Sequence, residues 1–295
     1  MIKITNLTKD YGQQHGLFNL NLEIKKGDCV GLVGINGAGK TTTLRHLMGF
    51  LKADQGAAEI NGIDCWTKSS KIHELVSYIP GEISFPDSKT GYDFLQMQAQ
   101  LLQINEEKHR DFLIQQMQLD PSANLKRMSK GMKQKTAIVA ALMADREILL
   151  LDEPTTGLDP LMRKKFLDLL EIEKEKGKTI LMSSHMFEEV ESICNKVALI
   201  KNGRIIEVKE VNEIKHHSLK VFRLDFKTDS DYQVVLDSGF NLVKSSKEKH
   251  SLHIQIDDYN ISQLLKVLKG KEITNFEEEK YTLSDYFKSL EKELL

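Results

Sequence analysis

Strand-like and helix-like stretches alternate from the N-terminus to about position 211. Apolar or alternating runs at 2–7, 20–24, 29–33, 57–60, 76–79, 148–151, 179–183, 196–200 and 204–208 predict strands. Ile148-Leu149-Leu150-Leu151 is apolar throughout, the pattern of a central parallel strand covered on both faces. The 29–33 and 148–151 strands are expected to lie close, with one site at their C-terminal ends. Between them, positions 90 to 144 read as polar and helical. Phe94, Leu95, Gln98, Leu101 and Leu102 recur there at helical spacing and predict a packing face.

The pattern changes after Lys209. Positions 219–226 alternate, with Phe222, Leu224 and Phe226 on one face. A short helix is predicted at 231–237, then strands at 241–244 and 252–256. Ile261, Leu264, Leu265 and Leu268 form a helical stripe stopped by Gly270. A strand at 273–276 and a helix at 283–294 follow, the helix opened by Thr282 with Asp285 three residues on. The order β-α-β-β-α-β plus helix predicts a small α+β domain of ferredoxin-like type. The expected organisation is one α/β domain over 1–211 and an accessory α+β domain over 212–295.

Bulk properties narrow the function classes. Of 295 residues, 40 % are hydrophobic, enough for a core, and the net charge of −2 gives no basic field for nucleic acid. The 3 cysteines, Cys29, Cys65 and Cys194, are far apart in sequence and fit neither a disulfide framework nor a zinc site. They read as idle thiols in a reducing compartment. The start, Met1-Ile2-Lys3-Ile4, is strand-like and not a signal peptide. No apolar run approaches the length of a membrane span, so a membrane process would need a partner to supply that part.

The chemistry is concentrated in Gly34-Ile35-Asn36-Gly37-Ala38-Gly39-Lys40-Thr41, a full match to the phosphate-binding loop pattern G-x-x-x-x-G-K-[ST]. Gly34, Gly37 and Gly39 let the backbone turn and bring N–H groups, with those of Asn36, Ala38 and Thr42, against phosphate oxygens. Lys40 is placed to meet the β- and γ-phosphates, and Thr41 offers a hydroxyl to Mg²⁺. A Gly-rich turn without nucleotide is the rival reading; the strand before and the helix after speak against it. Ile148 to Leu151 ends in Asp152-Glu153. Asp152 is expected to hold Mg²⁺, and Glu153 to act as general base on a water aimed at the γ-phosphate.

With these two segments in place, the chain resembles the nucleotide-binding subunit of an ABC transporter over roughly 1–211. Ser129-Lys130-Gly131-Met132-Lys133-Gln134 is similar to the family's signature motif. Thr156-Gly157-Leu158-Asp159 is similar to the loop after the second ATP motif, and His185 resembles the switch histidine. Tyr11 sits where the family stacks a ring on adenine. The resemblance implies a P-loop ABC ATPase fold: a mixed sheet core, an antiparallel β part and a helical subdomain at about 90–144. It implies ATP hydrolysis with ATP and Mg²⁺, and head-to-tail closure of two copies over two ATP molecules. It also implies an integral membrane permease that holds the subunit peripherally at the cytoplasmic face of the membrane.

Each motif has a plain rival. Ser129 and the Gly131 N–H would present to the γ-phosphate of the opposite subunit's ATP, or Ser129 is a simple helix cap. His185 would orient the attacking water, or is structural. Tyr11 would stack on adenine, or belongs to the core. Asp159 would shape the subunit junction, or is a turn before Pro160. Two departures stand out. Lys130 replaces the usual Gly and Met132 the usual Gln; the Lys130 charge either lies near phosphate or points outward. After Tyr78-Ile79-Pro80, Gly81 occupies the place of the family's Gln, so Glu82 is the expected substitute oxygen ligand for the metal.

The tail segments Phe276-Glu277 and Thr282-Leu283-Ser284-Asp285-Tyr286-Phe287 are similar to those of bacterial exporter ATPases for drugs, peptides and lipids, where such tails serve dimer contacts or regulation. The resemblance implies export and a permease-docking surface from Gly81 to Phe94 with Phe85 exposed on it. The alternative is a permease-free ABC-type ATPase of translation or repair. A single ATPase half, without a long insertion or excess positive charge, argues against it.

Overall fold

A computed structural model describes residues 1–104, 107–215, 219–257, 260–279 and 282–293. The chain divides into two compact units, Met1–Glu210 and Val211–Leu295.

The first unit opens with β1 (Ile2–Asp10) and β2 (Gly16–Ile24), then β3 (Cys29–Val33) and α1 (Lys40–Leu47). β4 (Gln55–Ile60), β5 (Ile63–Asp64), α2 (Ser69–Leu75) and β6 (Val76–Ile79) follow. The helical stretch comprises α3 (Gly91–Leu101), α4 (Glu107–Gln116) and α5 (Lys130–Leu142). β7 (Ile148–Asp152), α6 (Pro160–Glu175), β8 (Thr179–Ser184), α7 (Phe187–Ile193), β9 (Lys196–Lys201) and β10 (Arg204–Glu210) complete it.

Two sheets organise this unit. One has six strands in the order β10-β9-β3-β8-β7-β6, parallel from β9 to β6, with β10 antiparallel at its edge. The other is antiparallel in the order β2-β1-β4-β5. Every residue of β3, β7 and β8 is buried, as continuous apolar runs covered on both faces require. The expected closeness of the 29–33 and 148–151 strands needs a correction: β8 lies between them and pairs with both. This puts the C-terminal ends of β3, β8 and β7 side by side, with the loops after them at one crevice. A core of Leu20, Leu32, Leu44, Ile60, Leu150 and Leu181, among others, joins the two sheets through α1.

The predicted face of α3 is partly right. Phe94 and Leu95 are buried, but Leu101, the last helical residue, is 70 % exposed. Leu102 instead joins Phe94 and Gln98 along a groove. Thr90 and Asp93 close a capping box that sets the start of α3.

The second unit contains α8 (Val211–Lys215), β11 (Leu219–Phe226), α9 (Asp229–Leu236), β12 (Asn241–Ser246), β13 (Ser251–Asp257), α10 (Ile261–Leu268), β14 (Ile273–Glu279) and α11 (Leu283–Glu293). Its sheet is antiparallel in the order β12-β13-β11-β14, that of a split β-α-β unit. Phe222, Leu224 and Phe226 meet Tyr232, Val235, Leu264 and Leu268 in a core of its own. Thr282 and Asp285 exchange the expected capping hydrogen bonds. Leu294 of the predicted last helix lies outside the described residues.

Candidate active site

The phosphate-binding loop follows directly from β3. A Cβ at Gly34 would come within 2.2 Å of the Ile200 carbonyl oxygen. Gly39 has φ +112°, and a Cβ there would meet Leu17 at 2.6 Å. Only glycine is accommodated at both positions. Gly37 and Asn36 are exposed, Ala38 is buried, and Thr41 and Thr42 are half-buried on the first turn of α1. The Lys40 ammonium is almost fully enclosed. It donates to the carbonyls of Gly34 (2.8 Å) and Ile35 (3.2 Å) and lies 3.6 Å from Glu153 Oε1.

Asp152 and Glu153 are held by one hydroxyl. Ser183 Oγ, on the neighbouring strand, donates to Asp152 Oδ1 (2.7 Å) and accepts from the Glu153 N–H (2.9 Å). Glu153 has φ +44°, so its backbone turns sharply at the strand end, a conformation that non-glycine residues adopt only under constraint. That turn separates the two carboxylates. Asp152 is completely buried, whereas Glu153 is partly exposed. Glu153 Oε2 faces His185 Nδ1 at 3.2 Å and accepts weakly from Thr156 Oγ1 at 3.4 Å. Lys40, Glu153 and His185 therefore form one connected group, drawn from three separate loops.

Asp152 Oδ2 is buried without a hydrogen-bond partner. An orphaned carboxylate oxygen in a buried site is costly unless a cation takes it. Carboxylate and threonine oxygens are also the donors a hard divalent ion prefers. Asp152 and Thr41 thus fit Mg²⁺. The electrostatic reach of Asp152 is visible on Tyr78, whose phenol is pushed up to about 12 by burial and then by the Asp152 charge. His109, Asp145 and Glu173 also bring ligand atoms within 4.8 Å of one another. There the Lys178 ammonium pairs with both carboxylates and Lys176 pairs with Glu173, so two ammonium groups already match the two carboxylates.

Glu82 departs from expectation. It is exposed and makes no hydrogen bond or ion pair among the described residues. The backbone at Gly81 is what lies against the site: a Cβ there would be 3.0 Å from Asp152 Oδ2.

The remaining candidates are spread around this centre. Tyr11 is 55 % exposed in the turn between β1 and β2, so it is not a core ring; the Lys9 ammonium lies 5.8 Å from its centroid. Ser129 is exposed and caps α5, accepting from Met132 N–H at 3.3 Å. Asp159 caps α6, accepting from Met162 N–H at 2.9 Å, with Pro160 at the first helical position. Neither touches Lys40, Glu153 or His185. The helix that Ser129 caps is nevertheless fastened to the Glu153 loop. Gln134 donates to the Pro154 carbonyl at 2.6 Å, and a Cβ at Gly131 would strike the Gly157 carbonyl oxygen at 2.7 Å. The aliphatic stem of Lys130 lies over Gly157.

Ser183, Ser184 and Gln134 hold this arrangement, and no role follows for them from the sequence. The signal was a pair of serines ending an apolar strand. Cys29 and Cys194, remote in sequence, are buried as free thiols, with Cys29 Sγ donating to Cys194 Sγ at 3.7 Å. The hydrogen bond with Cys29, and then burial, push the Cys194 thiol up, which makes it unreactive. Phe85 is also not the exposed residue expected: it is half-buried and packs edge-on against Phe94 at 4.7 Å. It lines a groove of about 230 Å³ with Tyr78, Ile83, Leu102 and Ala141. A larger groove of about 680 Å³, walled by Leu265, Leu268, Ile273 and Phe276, belongs to the second unit and holds no acid–base pair, so volume does not mark the chemistry.

A sequence profile of the ABC transporter family matches residues 17–156. The chain is 32 % identical over 245 residues to the bacitracin transport ATP-binding protein BcrA of Bacillus licheniformis, covering 82 % of this chain and 80 % of that one. It superposes on the solved ATP-binding subunit of an ABC transporter with a TM-score of 0.66 and 29 % identity, covering 73 % of this chain and 92 % of that one. It is also similar in fold to the dimeric bacterial ABC transporter cassette MJ0796, with a TM-score of 0.64 and 22 % identity over 72 % of this chain and 99 % of that one.

Proposed function

The chain belongs to the ABC transporter family as an ATP-binding, ATP-hydrolysing subunit, and from that premise we propose that it powers export through a separate membrane permease. The observation that carries the chemistry is the convergence of Lys40, Glu153 and His185 beside the unpartnered Asp152 Oδ2.

Lys40 offsets charge on the β- and γ-phosphates while the loop from Gly34 to Thr42 wraps them. Thr41 and Asp152 would hold Mg²⁺, which neutralises phosphate oxygens when bound. Glu153 accepts the proton of a water as that water's oxygen bonds the γ-phosphorus and the bond to the β-phosphate oxygen breaks, giving ADP and phosphate. His185 orients the same water. Tyr11, exposed in the turn between β1 and β2, offers a face to adenine. Ser129, Gly131 and Asp159 act on the ATP of a second copy, docked head-to-tail; the exposure of Ser129 and Asp159 supports that reading. The groove beside Phe85 suits an apolar permease helix. No described helix is long and apolar enough to cross a membrane, which agrees with a peripheral subunit at its cytoplasmic face. The α+β unit is the candidate for dimer contacts or regulation.

The match to a bacitracin transport subunit favours transport over a permease-free role. The test is phosphate release from ATP by the purified chain, alone and with a co-expressed permease. Hydrolysis abolished by EDTA and restored by Mg²⁺ is expected. No hydrolysis in either preparation, or hydrolysis indifferent to metal, would overturn the reading.

A further inference from the structure

His185 is exposed and meets the site at the Glu153 carboxylate. Something must hold it there. The backbone on either side of it is tied to a single hydroxyl: Ser184 Oγ accepts from the Met186 N–H at 2.9 Å and donates to Glu189 Oε2 at 2.9 Å. Glu189 lies in α7, two per cent exposed, and its other oxygen faces Arg163 Nε at 3.3 Å. Arg163 stands in the first turn of α6, where its N–H bonds the carbonyl of the capping residue Asp159 at 2.9 Å. α7 itself is pressed onto β3 at Gly31, where any Cβ would collide with Val190.

A buried carboxylate is an expensive way to join two helices. Apolar residues of similar volume usually do so at no loss of stability. Neither Arg163 Nε nor Glu189 Oε1 makes a directional hydrogen bond, so their pairing is electrostatic and not well satisfied. The arrangement does achieve one thing an apolar contact would not: it fixes a hydroxyl that bonds the Met186 N–H across residue 185.

We propose that Glu189, held by Arg163, is a positioning residue for hydrolysis, setting the angle of His185 through Ser184 and linking it to the helix that Asp159 begins. The inference rests on the reading of His185 given above. Glu189 does not touch the reacting atoms. Its removal slows the chemical step and leaves nucleotide affinity alone, because the phosphate loop is held separately by β3 and α1.

The test is steady-state ATP hydrolysis by the full chain carrying Glu189→Gln, Ser184→Ala or His185→Ala, each confirmed folded by thermal melting, and by the double variants. Ser184→Ala leaves the buried ion pair intact and so keeps the test open if Glu189→Gln does not fold. Expected is a fall in kcat of about tenfold or more for Glu189→Gln and Ser184→Ala with KM for ATP within about twofold. In the His185→Ala background neither should cause a further loss. Losses that multiply in the double variants, or unchanged kcat in both single variants, would overturn the link. Full hydrolysis by His185→Ala would instead remove the site reading, and the link with it.

Discussion

Asp152 and Glu153 are chain neighbours with different chemistry because their oxygens meet different surroundings. Asp152 is enclosed, donated to by Ser183, and keeps one oxygen bare. Glu153 is turned outward by its positive φ toward Lys40 and His185. A bare buried oxygen suits a cation, and a reachable carboxylate suits a proton. Glu153→Gln is therefore expected to bind ATP but hydrolyse it at least about 100-fold more slowly. Phosphate release and gel filtration with ATP would measure this, with accumulation of a dimer expected; normal turnover excludes Glu153 as the base. Lys40→Ala is expected to lose most ATP affinity in a fluorescent-nucleotide titration, because the phosphate charge is no longer offset. Glu82 tests the limit of reading by sequence position. Its carboxylate is exposed and Gly81 is what meets Asp152, so Asp152→Asn should raise the Mg²⁺ requirement of hydrolysis far more than Glu82→Ala does. Equal effects in a Mg²⁺ titration would restore Glu82 as a ligand.

At the scale of elements, the strands were the most legible feature and their neighbours the least. β3 and β6 have the predicted bounds; in β3 a fully covered strand leaves no polar residue to blur its ends. The two-residue β5 carries no pattern and was missed. The face of α3 was read from periodicity, which cannot tell where a helix outruns its support, hence the exposed Leu101. The start of β3 is fastened to β9 by Asp28, whose carboxylate accepts from Lys196 at 2.8 Å and from the Lys25 N–H at 3.0 Å. Burial alone would raise the Asp28 pKa. The Lys196 ammonium, the Lys25 N–H and Asn195 together outweigh burial and hold it below the usual 3.8. A depressed carboxylate stabilises the fold above its unfolded value and ceases to do so as pH falls through its folded value. Asp28→Asn is thus expected to cost about 1–2 kcal/mol at pH 7 and progressively less below pH 3.8. Urea melts at pH 7 and pH 3 would check it; a penalty equal at both would refute the role of the charge.

For the whole molecule, two separate cores decide behaviour. Leu32, Leu150 and Leu181 belong to one, Leu224, Ile254 and Leu264 to the other. The first is closed by two sheets and their helices, the second by one sheet and its helices. A chain ending at Glu210 retains every residue of Lys40, Asp152, Glu153 and His185 and their partners. It is expected to unfold cooperatively and to bind ATP with affinity within about threefold of the full chain. An insoluble fragment, or one without nucleotide affinity, would show that the first unit depends on the second.

The local chemistry was determined by the chain itself. A glycine-lined loop, an apolar strand ending in two carboxylates and a histidine after a serine pair need only short stretches to be specified, because glycine freedom and strand periodicity act over a few residues. Tertiary structure decided which of them meet. β8 standing between β3 and β7 delivers His185 to Glu153 and Ser183 to the Asp152 carboxylate and the Glu153 N–H, and the backbone at Gly81 rather than the Glu82 side chain to Asp152. Those contacts join residues dozens of positions apart. They depend on strand order and register, which no local pattern encodes.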